Sequence, residues 1–143
     1  DVMAIAHTHA SSIVALSAAG IKLRAMDNLG ATAFGKDAPM FEEYGLVDNF
    51  DMGHRIADVM GSSNIVVLKG HGNLVVGGSI EETCISAIWA EKAAALQAQA
   101  MALGDPHWLP EAEAEKVRSQ VIEAKAYLRA WNYYRWRLSP LMR

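Results

Sequence analysis

Cysteine is nearly absent from this chain. The single thiol, Cys84, has no internal disulfide partner, which fits a reducing, cytoplasmic compartment. Long apolar runs are missing too: none approaches the roughly 18 residues that cross a bilayer, so no membrane association is expected. No basic-then-apolar export signal opens the chain, which begins at Asp1 rather than Met, so the natural N-terminus is expected further upstream. Positive charge is scarce. Thirteen Lys and Arg face 16 Asp and Glu, and the net charge of −3 argues against nucleic acid as the main partner. There is no Gly-rich phosphate loop, no G-x-S-x-G elbow, no internal repeat and no low-complexity tract. What remains is 143 residues, 52% hydrophobic and 20% charged, enough to bury the core of one α/β domain. The slight apolar excess points to surface covered by a subunit partner.

The most informative stretch comes first. Residues 1–6 are short, apolar and bounded like a buried strand, and they run into His7-Thr8-His9. A strand period of two puts His7 and His9 on one face. Imidazoles so placed can reach a single ion, and neutral histidine is the commonest ligand of zinc and its neighbours. Residues 11–19 read as a short helix that Gly20 ends. The stretch 21–26 reads as a further strand and 28–44, rich in Gly, Asp and Ala, as loop. Asp51 or Asn49 caps a helix through residues 54–60, closed by Gly61; His54 within it opens no ligand pattern.

A hairpin follows. Residues 65–69 open with three β-branched side chains, Gly70-His71-Gly72 turns, and 73–76 return before Gly77-Gly78. Glycines flanking His71 let the backbone turn tightly and the ring point toward a neighbouring strand. Joined to His7 and His9, His71 completes three neutral imidazoles on strand ends, which form one face of a coordination shell. Lys69, two residues earlier, is a candidate for holding an anionic substrate. Ser79-Ile80-Glu81-Glu82 is a capping box that starts a helix running to about Leu103 and stopped by Gly104. Its apolar stripe reads as Ile80, Cys84, Ala87, Ile88, Glu91, Ala95 and Ala98, with Glu91 as partner for a basic group. His107 reads as structural. A last helix begins at Pro110 with acids at its positive end and runs through Val117, Val121, Ala124, Leu128 and Trp131. Its aromatic and basic end, residues 129–137, reads as packing or subunit contact, with cover for an active-site mouth as a lesser option.

His7-Thr8-His9 after an apolar strand, Val67-Leu68-Lys69-Gly70-His71-Gly72 about sixty residues on, and the run through Glu82 into the long helix together resemble the class II aldolase and adducin-head superfamily. The resemblance covers about residues 1–104, with a helix and aromatic tail over 110–143. It implies a three-layer α/β/α domain with a central, mostly antiparallel sheet whose N-terminal part is missing here. It also implies a homotetramer with the site between subunits, and His7, His9 and His71 as ligands of one divalent ion, zinc, manganese, cobalt or iron. The family's acid/base carboxylate lies before its H-x-H, so that catalytic residue is expected before Asp1 or from a partner chain. The family's leaving-group tyrosine aligns with Asn28, which weighs against a sugar-phosphate aldolase. Leu23-Arg24-Ala25-Met26 and Ala38-Pro39-Met40-Phe41-Glu42 are more similar to branches acting on hydroxylated aromatic or pyridine carboxylates. The resemblance therefore implies a metal-dependent carbon–carbon lyase, leaning to decarboxylation, in which the ion chelates substrate oxygens and stabilises an enolate-like charge. Aldolase or epimerase action on a sugar phosphate, a hydrolase or hydratase using metal-bound water, and a non-catalytic adducin-like interaction domain are the alternatives.

Overall fold

Ile65, Val66, Val67 and Leu68 form a strand in which all four side chains are buried. A continuous apolar run of this kind, three of its four residues β-branched, belongs at the centre of a sheet covered on both faces. The computed structural model, which describes residues 2–123 and 125–138, places it there. Asp1 and Ala124, read above as strand start and last-helix residue, lie outside the described residues, as do 139–143.

In chain order the elements are β1 (Ala4–Thr8), α1 (Ser11–Ala18), α2 (Asn28–Phe34), β2 (Met40–Phe41) and α3 (Phe50–Met60). Then come β3 (Ile65–Leu68), β4 (Gly72–Gly77), α4 (Ile80–Leu103), α5 (Glu111–Glu123) and α6 (Ala126–Leu138). The sheet order is β1-β4-β3-β2, with β4 antiparallel to both neighbours and β2 parallel to β3. Ile65, Val67 and Val75 point into the main core with Ile13, Leu16, Ile85 and Trp89 from α1 and α4. Val66 and Leu68 point the other way, against Met52 and Ile56 of α3 and Phe41 of β2. The result is the expected α/β/α layering with a mixed, mostly antiparallel sheet. The α3 layer packs on β2 and β3, and the same face of β1 is open: Ile5 is 68% exposed.

Local signals set several boundaries. Asn49, not Asp51, caps α3, its side chain accepting from Met52 N at 2.9 Å. Ser79 Oγ accepts from Glu82 N, and the Glu82 carboxylate reaches back to Gly78 N at 3.0 Å. Each such cap is worth about 1 kcal/mol.

Four expectations are corrected. Residues 21–26 form no strand; Arg24 makes one isolated bridge to Asp37, and the buried Gln97 of α4 holds the segment instead. Its Oε1 accepts from Arg24 N and its Nε2 donates to the Lys22 carbonyl. The stretch 28–44 is not all loop, since it contains α2 and β2. Asp27 caps α2 through Gly30 N, and Gly30 is required there because a Cβ would lie 2.9 Å from Phe34 Cζ and 3.3 Å from Ala25 Cα. The buried face of α4 is also different. Of the expected stripe only Ala87 is fully buried, and the packed residues include Ile85, Trp89, Ala90, Ala93, Ala94 and Gln97. The helix touches α1, α2, α6, β1 and β4, so an alanine-rich surface faces neighbours on several sides and no single stripe marks the core. Finally, the one helix expected after Pro110 is two, parted where Lys125 adopts a φ of 48°. Tyr127, Ala130, Trp131 and Tyr134 of α6 pack on the main core, as the packing reading of the tail anticipates.

Candidate metal centre

The pairing of β1 with β4 brings the two histidine motifs together. His7 lies opposite Leu74 and Thr8 opposite Asn73, so the end of β1 sits beside the β3–β4 turn that carries His71. That turn is fixed from several sides. Gly70 has a φ of 65°, the His71 N–H bonds the Leu68 carbonyl, and Gly70 N donates to the buried Ser17 hydroxyl of α1. At Gly72 a Cβ would overlap the Thr8 carbonyl oxygen, so only glycine lets the strands close here.

The three imidazoles converge. Ring centroids are 4.8 Å apart for His7–His9, 5.0 Å for His7–His71 and 4.8 Å for His9–His71. One nitrogen from each lies within 4.8 Å of the others, and His7 Nε2 is 2.9 Å from His9 Nε2. His7 Nδ1 lies 3.2 Å from the Asn73 carbonyl oxygen. A carbonyl can only accept, so Nδ1 carries a proton toward Asn73 and Nε2 is the nitrogen that faces His9. His71 is held below the ordinary histidine pKa of 6.5, first by its partial burial and then by the facing rings of His7 and His9. The neutral form of His71, which has a lone pair to offer an ion, is thereby favoured. The nitrogen-only donor set, joined by no carboxylate among the described residues, fits a first-row divalent cation.

Behind the rings a second set of contacts holds the backbone. Asn73 is fully buried, and its Oδ1 accepts from Thr8 Oγ1, the residue between the two β1 histidines, at 2.8 Å. Its Nδ2 has no hydrogen-bond partner among the described residues. Glu91 accepts from Ser12 N, Ser12 Oγ and Ile13 N at 2.7–3.3 Å. It thus satisfies the free N–H groups at the start of α1, three residues after His9, rather than pairing with a base as expected.

The rings open into a cleft of about 500 Å³. Leu68 and Leu74 form its floor side from the sheet, and Leu46, Val47 and Asp48 line it from the loop before α3. Lys69 does not line this cleft. Its Nζ is 2.6 Å from a Glu42 carboxylate oxygen, and that bond and charge raise the amine above its ordinary 10.5. The exposed His54 lies in a neighbouring cleft with Phe50, and the exposed His107 belongs to the loop before α5; neither joins the three rings. The α6 residues Tyr134 and Arg137 line a separate cleft with Thr8 and Ala10, and no described tail residue of the same chain lines the histidine cleft. Sequence reading missed Leu46, Val47 and Asp48, which lie in a loop without periodicity. It also missed Asn73, whose signal was a polar residue inside an otherwise apolar strand.

A mixed sheet between helical layers, with three imidazoles meeting at two strand ends, is the architecture of a class II aldolase-like domain. Residues 1–98 match the model of the class II aldolase and adducin N-terminal domain, and the chain belongs to that family. It is 31% identical over 108 residues to 3,4-dihydroxyphthalate decarboxylase of Rhodococcus jostii, covering 73% of this chain and 44% of that protein. It is 28% identical over 162 residues to decarboxylase tropJ of Talaromyces stipitatus, covering 94% of this chain and 60% of that one. The chain thus spans about half the length of the curated relatives it matches. Among solved structures, an L-fuculose 1-phosphate aldolase superposes with a TM-score of 0.76 at 24% identity, over 84% of this chain and 56% of that one. No helix among the described residues is long and apolar enough to cross a membrane.

Proposed function

We propose that this domain carries the metal-binding half of a lyase that removes carbon dioxide from a hydroxylated aromatic or pyridine carboxylate. The observation that carries this reading is the convergence of His7, His9 and His71 on one apolar-walled cleft. The decarboxylase names of its curated relatives support it.

His7, His9 and His71 would hold the divalent ion, whose Lewis acidity at two neighbouring substrate oxygens favours the charge that develops as the carbon–carbon bond breaks. The Asn73 carbonyl keeps His7 in the tautomer that presents Nε2. Partial burial keeps His71 neutral and available. Leu46, Val47, Leu68 and Leu74 take up a flat apolar body and displace water from it. In the reaction the bond to the carboxylate carbon breaks, its electron pair stays on the substrate, carbon dioxide leaves, and a proton takes the vacated position. The reaction needs an acid beside the substrate carbon to deliver this proton. A homotetramer with the site between subunits, in a cytoplasmic setting, is part of the same reading.

The test is carbon dioxide release from a panel of hydroxy-carboxylates, with and without chelator, alongside elemental analysis. Release that a chelator stops and added zinc or manganese restores supports the lyase. A protein isolated and reconstituted without any bound metal returns the adducin-like interaction reading. Turnover of a sugar phosphate, with no release from any carboxylate, returns the aldolase reading.

A further inference from the structure

Within the lyase reading, on which it rests, we propose that Asp48 selects substrates by accepting a hydrogen bond from a ring hydroxyl and by turning away dianionic phosphates. Among the described residues Asp48 is the one carboxylate lining the cleft that holds the three rings, and its neighbours there are Leu46 and Val47. Its local contacts are to its chain neighbours: the Asp48 N–H bonds the Leu46 carbonyl at 3.1 Å, and Oδ1 accepts from Asn49 Nδ2 at 2.8 Å. It makes no ion pair among the described residues.

The charges around it point the same way. Lys69 is paired with Glu42 at 2.6 Å, and Arg55 with Glu43 at 3.0 Å and Asp51 at 3.6 Å. Neither cation lines the cleft with Asp48. A phosphate entering between apolar walls meets a negative charge there, whereas a hydroxyl finds a charged acceptor, the stronger kind of hydrogen bond. The Asn49 cap of α3 uses its own Oδ1, so neutralising Asp48 leaves that helix start in place.

The experiment is calorimetric titration of the zinc-loaded protein with 3,4-dihydroxybenzoate, benzoate and phenyl phosphate, for wild type, Asp48→Asn and Asp48→Glu. The expected result is a loss of about tenfold in dihydroxybenzoate affinity in Asp48→Asn, the worth of one hydrogen bond to a charged group. Benzoate binding and zinc affinity should be unchanged, phenyl phosphate should bind more tightly, and Asp48→Glu should keep the wild-type preference. Unchanged dihydroxybenzoate affinity in Asp48→Asn overturns the assignment while leaving the lyase reading intact. An equal loss for all three probes, with a fall in the melting temperature, overturns it in favour of a role in the loop's fold. A wild-type protein that binds zinc but none of the probes overturns the lyase reading and this inference together.

Discussion

The two faces of the sheet are finished differently. On one face Ile65, Val67 and Val75 disappear beneath α1 and α4, and none of the three is more than 2% exposed. On the other, α3 covers only β2 and β3, and beyond its edge the sheet presents His7, His9 and His71 beside exposed apolar residues such as Ile5 and Leu46. One face uses its side chains for stability, and the other keeps them for binding. The division also explains why the site residues can be costly to function and cheap to the fold.

That contrast can be broken in measurable ways. The largest effect is expected from His71→Ala, which should reduce metal-dependent carbon dioxide release to background while the unfolding midpoint barely moves. Full activity in this variant would end the site assignment. Next is Ile85→Ala in the packed face, expected to cost about 2–5 kcal/mol in denaturant unfolding. Ile5→Ala on the open face should stay within about 0.5 kcal/mol, and equal losses would erase the distinction. Thr8→Val lies between the faces. It removes the hydroxyl that bonds the buried Asn73 amide, so it should cost about 1–3 kcal/mol and weaken zinc in a chelator competition by about tenfold. Glu91→Gln, which weakens the anchor at the start of α1, should cost about 0.5–2 kcal/mol in the same unfolding measurement.

The smallest effect is a pH dependence. His71 is lowered from 6.5 in the folded chain, so as the pH falls the unfolded chain takes up a proton first. This contribution to stability is whole above pH 6.5 and is lost as the pH drops through the folded value. Thermal melts of chelated protein from about pH 8 to about pH 5 should show the loss, and His71→Ala should reduce the slope.

The sequence made some of this legible and hid the rest for physical reasons. The mostly β-branched run at 65–68, the caps at Ser79 and Asn49, and the strand-end histidines each carry a local signal, and those elements stand where their residues put them. The α2 helix was obscured by Gly30, which weakens helix propensity but is required by the close approach of Phe34 and Ala25. The Asp27 cap three residues before it was the sign available. β2 is two residues long and parallel to β3, a pairing made across the chain that no short window contains. The face of α4 was misread because alanine packs on any side. Leu46, Val47 and Asp48 reach the cleft through loop geometry alone, which leaves no pattern to read.

The acceptor that orients His7 is a main-chain oxygen of Asn73, not a side chain. Replacing residue 73 can therefore disturb the packing behind the ring but cannot delete the group that sets its tautomer. An engineer who wishes to reprogram this centre must alter the strand register itself, whereas the loop from 46 to 48 is open to exchange. Chemistry and selectivity are thus written into separately editable parts of the same cleft.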